Sequence, residues 1–205
     1  MLVFGACQVV EIRRLVCRFA WKGFGMKRVI VALANGAEDM EAVIIADVLR
    51  RAGWFVPLVG VGPGMITCSR GVRIEPDEIW DEIDVCNYDI IVLPGGMSGM
   101  ETLKRDRRVL DLLREFDADG KIIAAICAAP LVLQEAGILT GRRVTCHPGV
   151  ADGLTATARD SKRVVVDGNI VTSQGPGTAV EFALKLIEVG EDKVAAEAVA
   201  KGLII

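Results

Sequence analysis

From residue 26 onward, short apolar runs alternate with amphipathic stretches, and this alternation limits the chain to few folds. The strand-like runs lie at 28–33, 54–61, 88–96, 121–127, 142–147, 163–168 and 169–173. Helical patterns lie at 37–52, 106–119, 128–136 and 177–189, each followed by a glycine, which suits the end of a helix, and a last short one lies within 191–202. Apolar strands separated by helices indicate an α/β fold with a mostly parallel sheet covered on both faces.

Two segments do not fit this alternation. Residues 68–76 are typical of an irregular or hairpin excursion, and residues 1–25 interrupt their apolar stretches with Glu11, Arg13 and Arg14, which does not match a secretory signal. Because Met26 opens the first strand-like run, we interpret 1–25 as an atypical N-terminal extension. It is either a start-site artefact or a short amphipathic segment, which the mass of the native protein distinguishes. Residues 26–205 then form a single domain.

Composition excludes several classes of function. The net charge is −3 without a basic block, which does not favour nucleic-acid binding, and no apolar run reaches the roughly 20 residues of a membrane span. The six cysteines form no CxxC pair and the chain has one histidine, so we expect no metal site. Scattered cysteines without a secretory signal indicate reduced thiols and a cytoplasmic protein.

The helix predicted at 37–52 places a carboxylate on its apolar face. At 100° per residue, Glu41 falls near the middle of the arc that contains Val43 and Ile45. A charged carboxylate facing the core is costly, so it either has strong partners or keeps its proton with a raised pKa. Glu38 and Glu41 also suit the first turn of a helix, where acidic groups stabilise the helix dipole. That explanation fits Glu38 better than Glu41.

A cysteine stands where a strand is predicted to end and a helix to begin, in KIIAAICAAP (121–130). The small side chains of Ala128 and Ala129 after Cys127 allow the tight turn of a nucleophile elbow, and Pro130 suits the first turn of a helix. Backbone N–H groups at such a turn would lower the thiol pKa from about 8.5 toward about 3.5–7.5. A buried structural cysteine has the same periodicity, and both interpretations stay open here.

A glycine pair and the single histidine also follow predicted strands. Gly95 and Gly96, in LPGGMSG, could bring backbone N–H groups close to a ligand. A dinucleotide fingerprint is the competing interpretation, but the next strand ends in Cys127 instead of the acid that would hold a ribose. His147, in TCHPG, is the sole candidate for a cysteine–histidine pair, although a lone histidine is more often incidental. Sites of such sheets gather beyond the carboxyl ends of the strands.

Together these stretches resemble the ThiJ/PfpI superfamily, specifically the branch of the parkinsonism-associated protein deglycase and its bacterial relatives. The resemblance spans about residues 26–203. It rests on GAEDMEAV (36–43), CSRG (68–71), VLPGGMSGMETL (92–103), AAICAAP (124–130), TCHPG (145–149) and GPGTAVEFAL (175–184), in that order. It implies a flavodoxin-like three-layer sandwich with a mostly parallel central sheet, and a homodimer.

The resemblance also implies roles for individual residues. Cys127 corresponds to the nucleophilic, oxidation-sensitive cysteine, Glu41 to the glutamate that donates a hydrogen bond to it, and His147 to a histidine near it. The oxyanion and substrate-binding side corresponds to Gly95, Gly96 and Ala128. The dimer interface corresponds to Cys68, Arg70 and Arg51.

The activity that the resemblance implies is cofactor-independent. Through a hemithioacetal on Cys127, the chain would act on methylglyoxal, glyoxal and their early adducts with amines or thiols, including glycated proteins and nucleotides, as a deglycase-type hydrolase or a glyoxalase-type lyase. The alternative is an oxidative-stress sensor or redox-activated chaperone that uses oxidation of Cys127. A peptidase is not expected, because Ala128 stands where the peptidase branch has a histidine. The amidotransferase pattern fails because His147 is the only histidine.

Overall fold

The computed structural model describes residues 26–205, and the predictions for residues 1–25 lie outside the described residues. The strands are Val29–Leu33 (β1), Leu58–Gly60 (β2), Ile66–Thr67 (β3), Arg73–Ile74 (β4), Glu78–Ile79 (β5), Ile90–Leu93 (β6), Ile122–Ile126 (β7), Val164–Asp167 (β8) and Ile170–Ser173 (β9). The α-helices are Asp39–Arg51 (α1), Met97–Arg105 (α2), Arg107–Ala118 (α3), Pro130–Glu135 (α4), Ala179–Gly190 (α5) and Lys193–Gly202 (α6).

Seven of the strands described in residues 26–205 form one sheet, in the order β5-β2-β1-β6-β7-β9-β8. All neighbours run parallel except β8 and β9. Without the outer strands β5 and β8, the order is second, first, third, fourth and fifth along the chain, which is the flavodoxin-like arrangement. The predicted fold class is therefore confirmed.

Both faces of the sheet are buried, because successive side chains of a strand point to opposite sides. In β1, Val29 and Val31 belong to a core shared with helices α1, α5 and α6, whereas Ile30 and Ala32 belong to a core shared with α2, α3 and α4. The result is the predicted three-layer sandwich. It leaves the carboxyl ends of β1, β6, β7 and β9 side by side at one edge.

The prediction of a strand at 142–147 is wrong. This segment makes only an isolated bridge, between Val144 and Arg159, and the N–H of Thr145 donates to the side chain of Thr172 at 2.9 Å. It cannot join the sheet beside β9, because β7 and β8 already occupy both edges of that strand. Its apolar residues are buried under the sheet rather than within it.

Helix α2 was not predicted, because the glycines of GGMSG suggest a loop. Gly99 lies inside the helix and packs against the β1–α1 turn, where an added Cβ would stand 2.8 Å from the N atom of Ala37. The glycine thus marks close packing instead of a break. The excursion at 68–76 does form a hairpin, in which β3 and β4 pair antiparallel, and the strand expected at 54–61 is shortened to β2.

Three of the described cysteines are free thiols. Cys68 and Cys146 are buried, and Cys127 is half-buried. None of the helices described between residues 26 and 205 combines the length and the hydrophobicity of a membrane span.

Candidate active site

The residues singled out in the sequence converge at the carboxyl edge of the sheet. Glu41 lies in the first turn of α1, after β1; Gly95 and Gly96 follow β6; and Cys127 follows β7. A cavity of about 560 Å³ opens there, and its wall includes Cys127, Gly96 and His147. Glu41 is fully buried behind this wall. The expectation that these side chains share one edge is met.

Cys127 has the backbone conformation of a nucleophile elbow. Its φ of 63° lies in the left-handed region, which non-glycine residues adopt rarely and at a cost in free energy. Two neighbouring segments hold this conformation: the Cys127 N–H donates to the carbonyl of Ser173 at 3.0 Å, and its carbonyl accepts from the N–H of His147 at 2.8 Å. Pro130 occupies the start of α4, as predicted. The strained turn presents the thiol to the cavity.

The two glycines after β6 are required for different reasons. Gly95 has no room for a side chain, because a Cβ would lie 2.5 Å from Cys127 Cβ and 2.9 Å from Glu41 Oε2. Gly96 has a φ of 87°, and a Cβ there would clash with the carbonyl of Gly36. The Gly95 N–H donates to Glu41 Oε2 at 2.6 Å and is therefore already occupied, whereas the resemblance implied a place for Gly95 on the oxyanion and substrate-binding side.

The Glu41 carboxyl is the most deeply buried acid of the site. It is 0% exposed, and its second oxygen, Oε1, has no hydrogen-bond partner of good geometry. Burial raises its pKa to about 7, against the opposing effects of the Gly95 N–H and the neighbouring Cys127 thiol. The inward orientation expected from the helical periodicity is confirmed, and the carboxyl carries its proton for about half of the time near neutral pH.

The pKa of Cys127 does not follow the sequence-based expectation. Burial raises it to about 12, and the charge of Glu41 acts in the same direction, while the N–H groups of Gly96 and Ala128 oppose them. The expectation of a lowered pKa was wrong because it counted the backbone N–H groups without burial or the carboxylate. The two side chains interact closely enough for protons to be shared between them, so they titrate as a pair. Gly96 and Ala128 are the N–H groups that face the sulfur.

His147 lines the cavity but is exposed to solvent. Its Nδ1 accepts a hydrogen bond from the N–H of Gly149 at 3.0 Å, which places the proton of the neutral ring on Nε2. Its backbone N–H bonds to Cys127, as described above. The structure therefore brings His147 next to the elbow, while its catalytic role stays a prediction.

The β3–β4 hairpin supplies another wall of the cavity. Its turn contributes Cys68, Ser69 and Arg70, and the Ser69 hydroxyl donates to Glu38 Oε2 at 2.6 Å. Glu38 thus does more than stabilise the helix dipole. Cys68, predicted at a dimer interface, is 4% exposed within the chain and so offers little surface to a partner. Arg70 is exposed, as is Arg51, which pairs with Asp47 at 2.7 Å.

Three apolar residues of the wall were not among the predicted site residues: Met97, Val150 and Pro176. Met97 directly follows the glycines of LPGGMSG, and Pro176 lies in GPGT. Both residues are therefore within or next to motifs that the sequence already indicated. Val150 directly follows TCHPG, a segment that contacts the elbow through the N–H of His147. Within the described part of the chain, no group of three or more His, Cys, Asp or Glu side chains could hold a metal ion.

Several known proteins are similar to this chain in sequence and in fold. The model of the family described as the DJ-1/PfpI family matches residues 27–189. The chain is 46% identical over 184 residues to the protein dj-1beta of Drosophila melanogaster, and the aligned region covers 87% of this chain and 97% of that protein. It is 39% identical over 154 residues to the glutathione-independent glyoxalase DJR-1.2 of Caenorhabditis elegans, covering 74% and 82% respectively. The oxidized form of Toxoplasma gondii DJ-1 superimposes with a TM-score of 0.83 at 41% identity, covering 87% of this chain and 98% of that one.

Proposed function

The chain belongs to the DJ-1/PfpI family, and on that premise we propose that it is a cofactor-independent, cysteine-dependent enzyme for 2-oxoaldehydes. Its substrates are methylglyoxal, glyoxal and their early adducts with amines or thiols. One observation carries the proposal: a thiol on a strained turn adjoins a buried carboxyl whose pKa of about 7 suits proton transfer at neutral pH. The relative named as a glyoxalase supports the same chemistry.

The first step is addition of the thiol to the aldehyde. The Cys127 sulfur forms a bond to the aldehyde carbon, the electron pair of the carbonyl π-bond moves onto the oxygen, and the thiol proton passes to the Glu41 carboxylate. The N–H groups of Gly96 and Ala128, which face the sulfur, stabilise the developing oxyanion. Glu41 then returns the proton to that oxygen, which completes the hemithioacetal.

The following steps need no external oxidant. Glu41 removes the hydrogen of the former aldehyde carbon as a proton while the ketone oxygen gains a proton, which gives an enediol. Glu41 then delivers its proton to the neighbouring carbon, while the hydroxyl of the first carbon loses its proton to water. The first carbon is thereby oxidised to a thioester and the second reduced to an alcohol. Water then cleaves the thioester, releasing a 2-hydroxy acid and the free thiol. With an amine adduct, the attacking sulfur displaces the amine, which leaves with the proton from Glu41.

His147 is the third catalytic residue of the proposal. With Nδ1 occupied by Gly149, its Nε2–H is the group available to a substrate oxygen in the cavity. We assign it the proton donation to the ketone oxygen. The exposed position of the ring allows exchange of this proton with solvent.

A substitution of the nucleophile tests the proposal. Cys127→Ala is expected to abolish methylglyoxal turnover, because no other group in the cavity wall replaces the thiol at the elbow, while circular dichroism shows a retained fold. Cys146→Ala is the matched control: it removes a free thiol that is absent from the cavity wall, and turnover should persist. Undiminished turnover in Cys127→Ala would falsify the proposal.

A redox sensor or chaperone that uses Cys127 is the second candidate, supported by the Toxoplasma gondii relative, whose structure is that of an oxidized form. The same N–H groups and Glu41 would hold the oxygens of a sulfinate. Oxidation by peroxide requires the thiolate, as the proposed addition to an aldehyde does, so the raised pKa of Cys127 opposes both functions equally. Peroxide titration beside client-aggregation assays distinguishes it from the enzyme, because only a sensor gains client protection on oxidation.

A further inference from the structure

The cavity is much larger than the small aldehydes that the proposed function names. Methylglyoxal has five non-hydrogen atoms; at about 30 Å³ each, the share of a water molecule in the liquid, it occupies about 150 Å³ at most. The cavity measures about 560 Å³, which lies in the range of sites that enclose ligands of considerably greater size. A three-carbon substrate leaves most of this space to water.

The wall contains both polar and apolar residues. Ser69, Arg70 and Ser98 contribute polar groups, whereas Met97, Val150 and Pro176 contribute apolar surface. Met97 is 56% exposed, so more than half of its apolar side chain is in contact with water in the empty cavity. An apolar surface of this kind inside a cavity favours a ligand that removes it from water.

One of the apolar residues lies next to the groups that hold the reacting atoms. Met97 directly follows Gly96, whose N–H faces the Cys127 sulfur. A carbonyl oxygen held by that N–H therefore places its carbon substituent within the part of the cavity that Met97 borders. The unbranched, flexible thioether can adapt to substituents of different shape.

We propose that the preferred substrates are 2-oxoaldehydes, free or as adducts, that carry a branched or aromatic apolar substituent, and that Met97 is the residue that selects them. This inference rests on the proposed function and specifies its substrate class. The substituent lies against Met97, Val150 and Pro176 while the dicarbonyl end reacts at Cys127. Each additional methylene held in such a pocket favours the larger substrate by roughly tenfold or more.

The test compares two aliphatic aldehydes of matched reactivity, methylglyoxal and 4-methyl-2-oxopentanal. We expect the wild type to show the higher kcat/KM for the branched aldehyde, and Met97→Ser to lower the ratio of the two kcat/KM values roughly tenfold. Met97→Leu should keep the ratio within about twofold, because it retains the apolar contact. Val194→Ser, which removes a 73% exposed apolar side chain outside the cavity wall, should leave the ratio unchanged.

A second readout does not depend on turnover. The alkylation rates of Cys127 by N-tert-butyl iodoacetamide and by iodoacetamide are followed on the Cys127 peptide by mass spectrometry, and Met97→Ser should again lower their ratio. If the wild type converts neither aldehyde but the alkylation ratio depends on Met97, the proposed function fails and the apolar subsite stands. If aldehydes are converted and neither ratio responds to Met97→Ser, the inference is overturned and the proposed function stands.

Discussion

At the scale of single residues, the burial of Glu41 has a cost that depends on pH. Its pKa is raised by burial from the ordinary 4.5 to about 7, so the folded chain binds this proton more tightly than the unfolded chain does. The stabilisation by the proton is complete below pH 4.5 and is lost as the pH rises through about 7. Above that pH the protein contains a buried carboxylate with one unpartnered oxygen.

Glu41→Gln should therefore stabilise the protein at alkaline pH, since glutamine stays neutral and its amide oxygen can still accept from Gly95. The pKa change corresponds to at most about 3 kcal/mol of unfolding free energy at pH 8.5, and the gain should vanish near pH 4. Urea unfolding at several pH values measures it. Glu82→Gln, at an exposed position, is the control. A gain in Glu41→Gln that does not change with pH would contradict the assigned cause.

At the scale of elements, one side chain attaches the β3–β4 hairpin to the start of α1. Asp39 accepts from the N–H groups of Arg70 at 2.8 Å and Val72 at 2.9 Å. Burial works to raise the pKa of Asp39, but these N–H groups and the Ser69 hydroxyl outweigh it and hold the pKa below its ordinary value. The attachment is therefore present above pH 3.8 and weakens as the pH falls through the lowered pKa.

Asp39→Ala should loosen the hairpin turn while the sheet remains intact. We expect amide hydrogen exchange at Arg70 and Val72 to accelerate roughly tenfold, the effect of losing hydrogen bonds to a charged acceptor. Exchange in β1 and β6 should stay protected. Asp47→Ala, which removes an exposed carboxylate from the same helix, is the matched control. Equal acceleration in both variants would show that Asp39 has no special part in holding the turn.

At the scale of the whole molecule, the outward face of α1 is too apolar for a surface exposed to water. Met40 and Val43 are 53% and 49% exposed, and Val72 on the adjoining hairpin is 50% exposed. The periodicity placed Val43 toward the core, and that expectation is wrong. We propose that this face, continued by Arg51 and Arg70, is the homodimer interface that the family resemblance predicts.

Val43→Asp should then convert a dimer into a monomer, because a charge would be buried at the centre of the contact. Light scattering should give twice the 22.0 kDa of one chain for the wild type and a single-chain mass for the variant. Val194→Asp changes an even more exposed valine, on α6, and should remain dimeric. A wild-type chain that is monomeric at micromolar concentration would overturn the proposed interface.

The sequence by itself determined the architecture and the location of the site. Strand and helix periodicities are local, so β1, β6, β7 and β9 and the helices α1, α3, α4 and α5 could be predicted within a few residues. Because parallel strands have their carboxyl ends on the same side of the sheet, the sequence placed Cys127 and Glu41 at one edge before any contact was known. The inward direction of Glu41 also followed from its azimuth alone.

Only the tertiary structure decided how these groups act on one another. Three features depend on groups that are far apart in sequence and that become neighbours and lose their water on folding. They are the hydrogen bond from the Gly95 N–H to Glu41, the raised pKa of Cys127 and the apolar wall at Met97. The segment 142–147 shows the same limit: its pattern suits a strand, but the edges of β9 were already occupied. Desolvation and competition for hydrogen-bond partners are properties of the assembled fold, and periodicity contains no information about them.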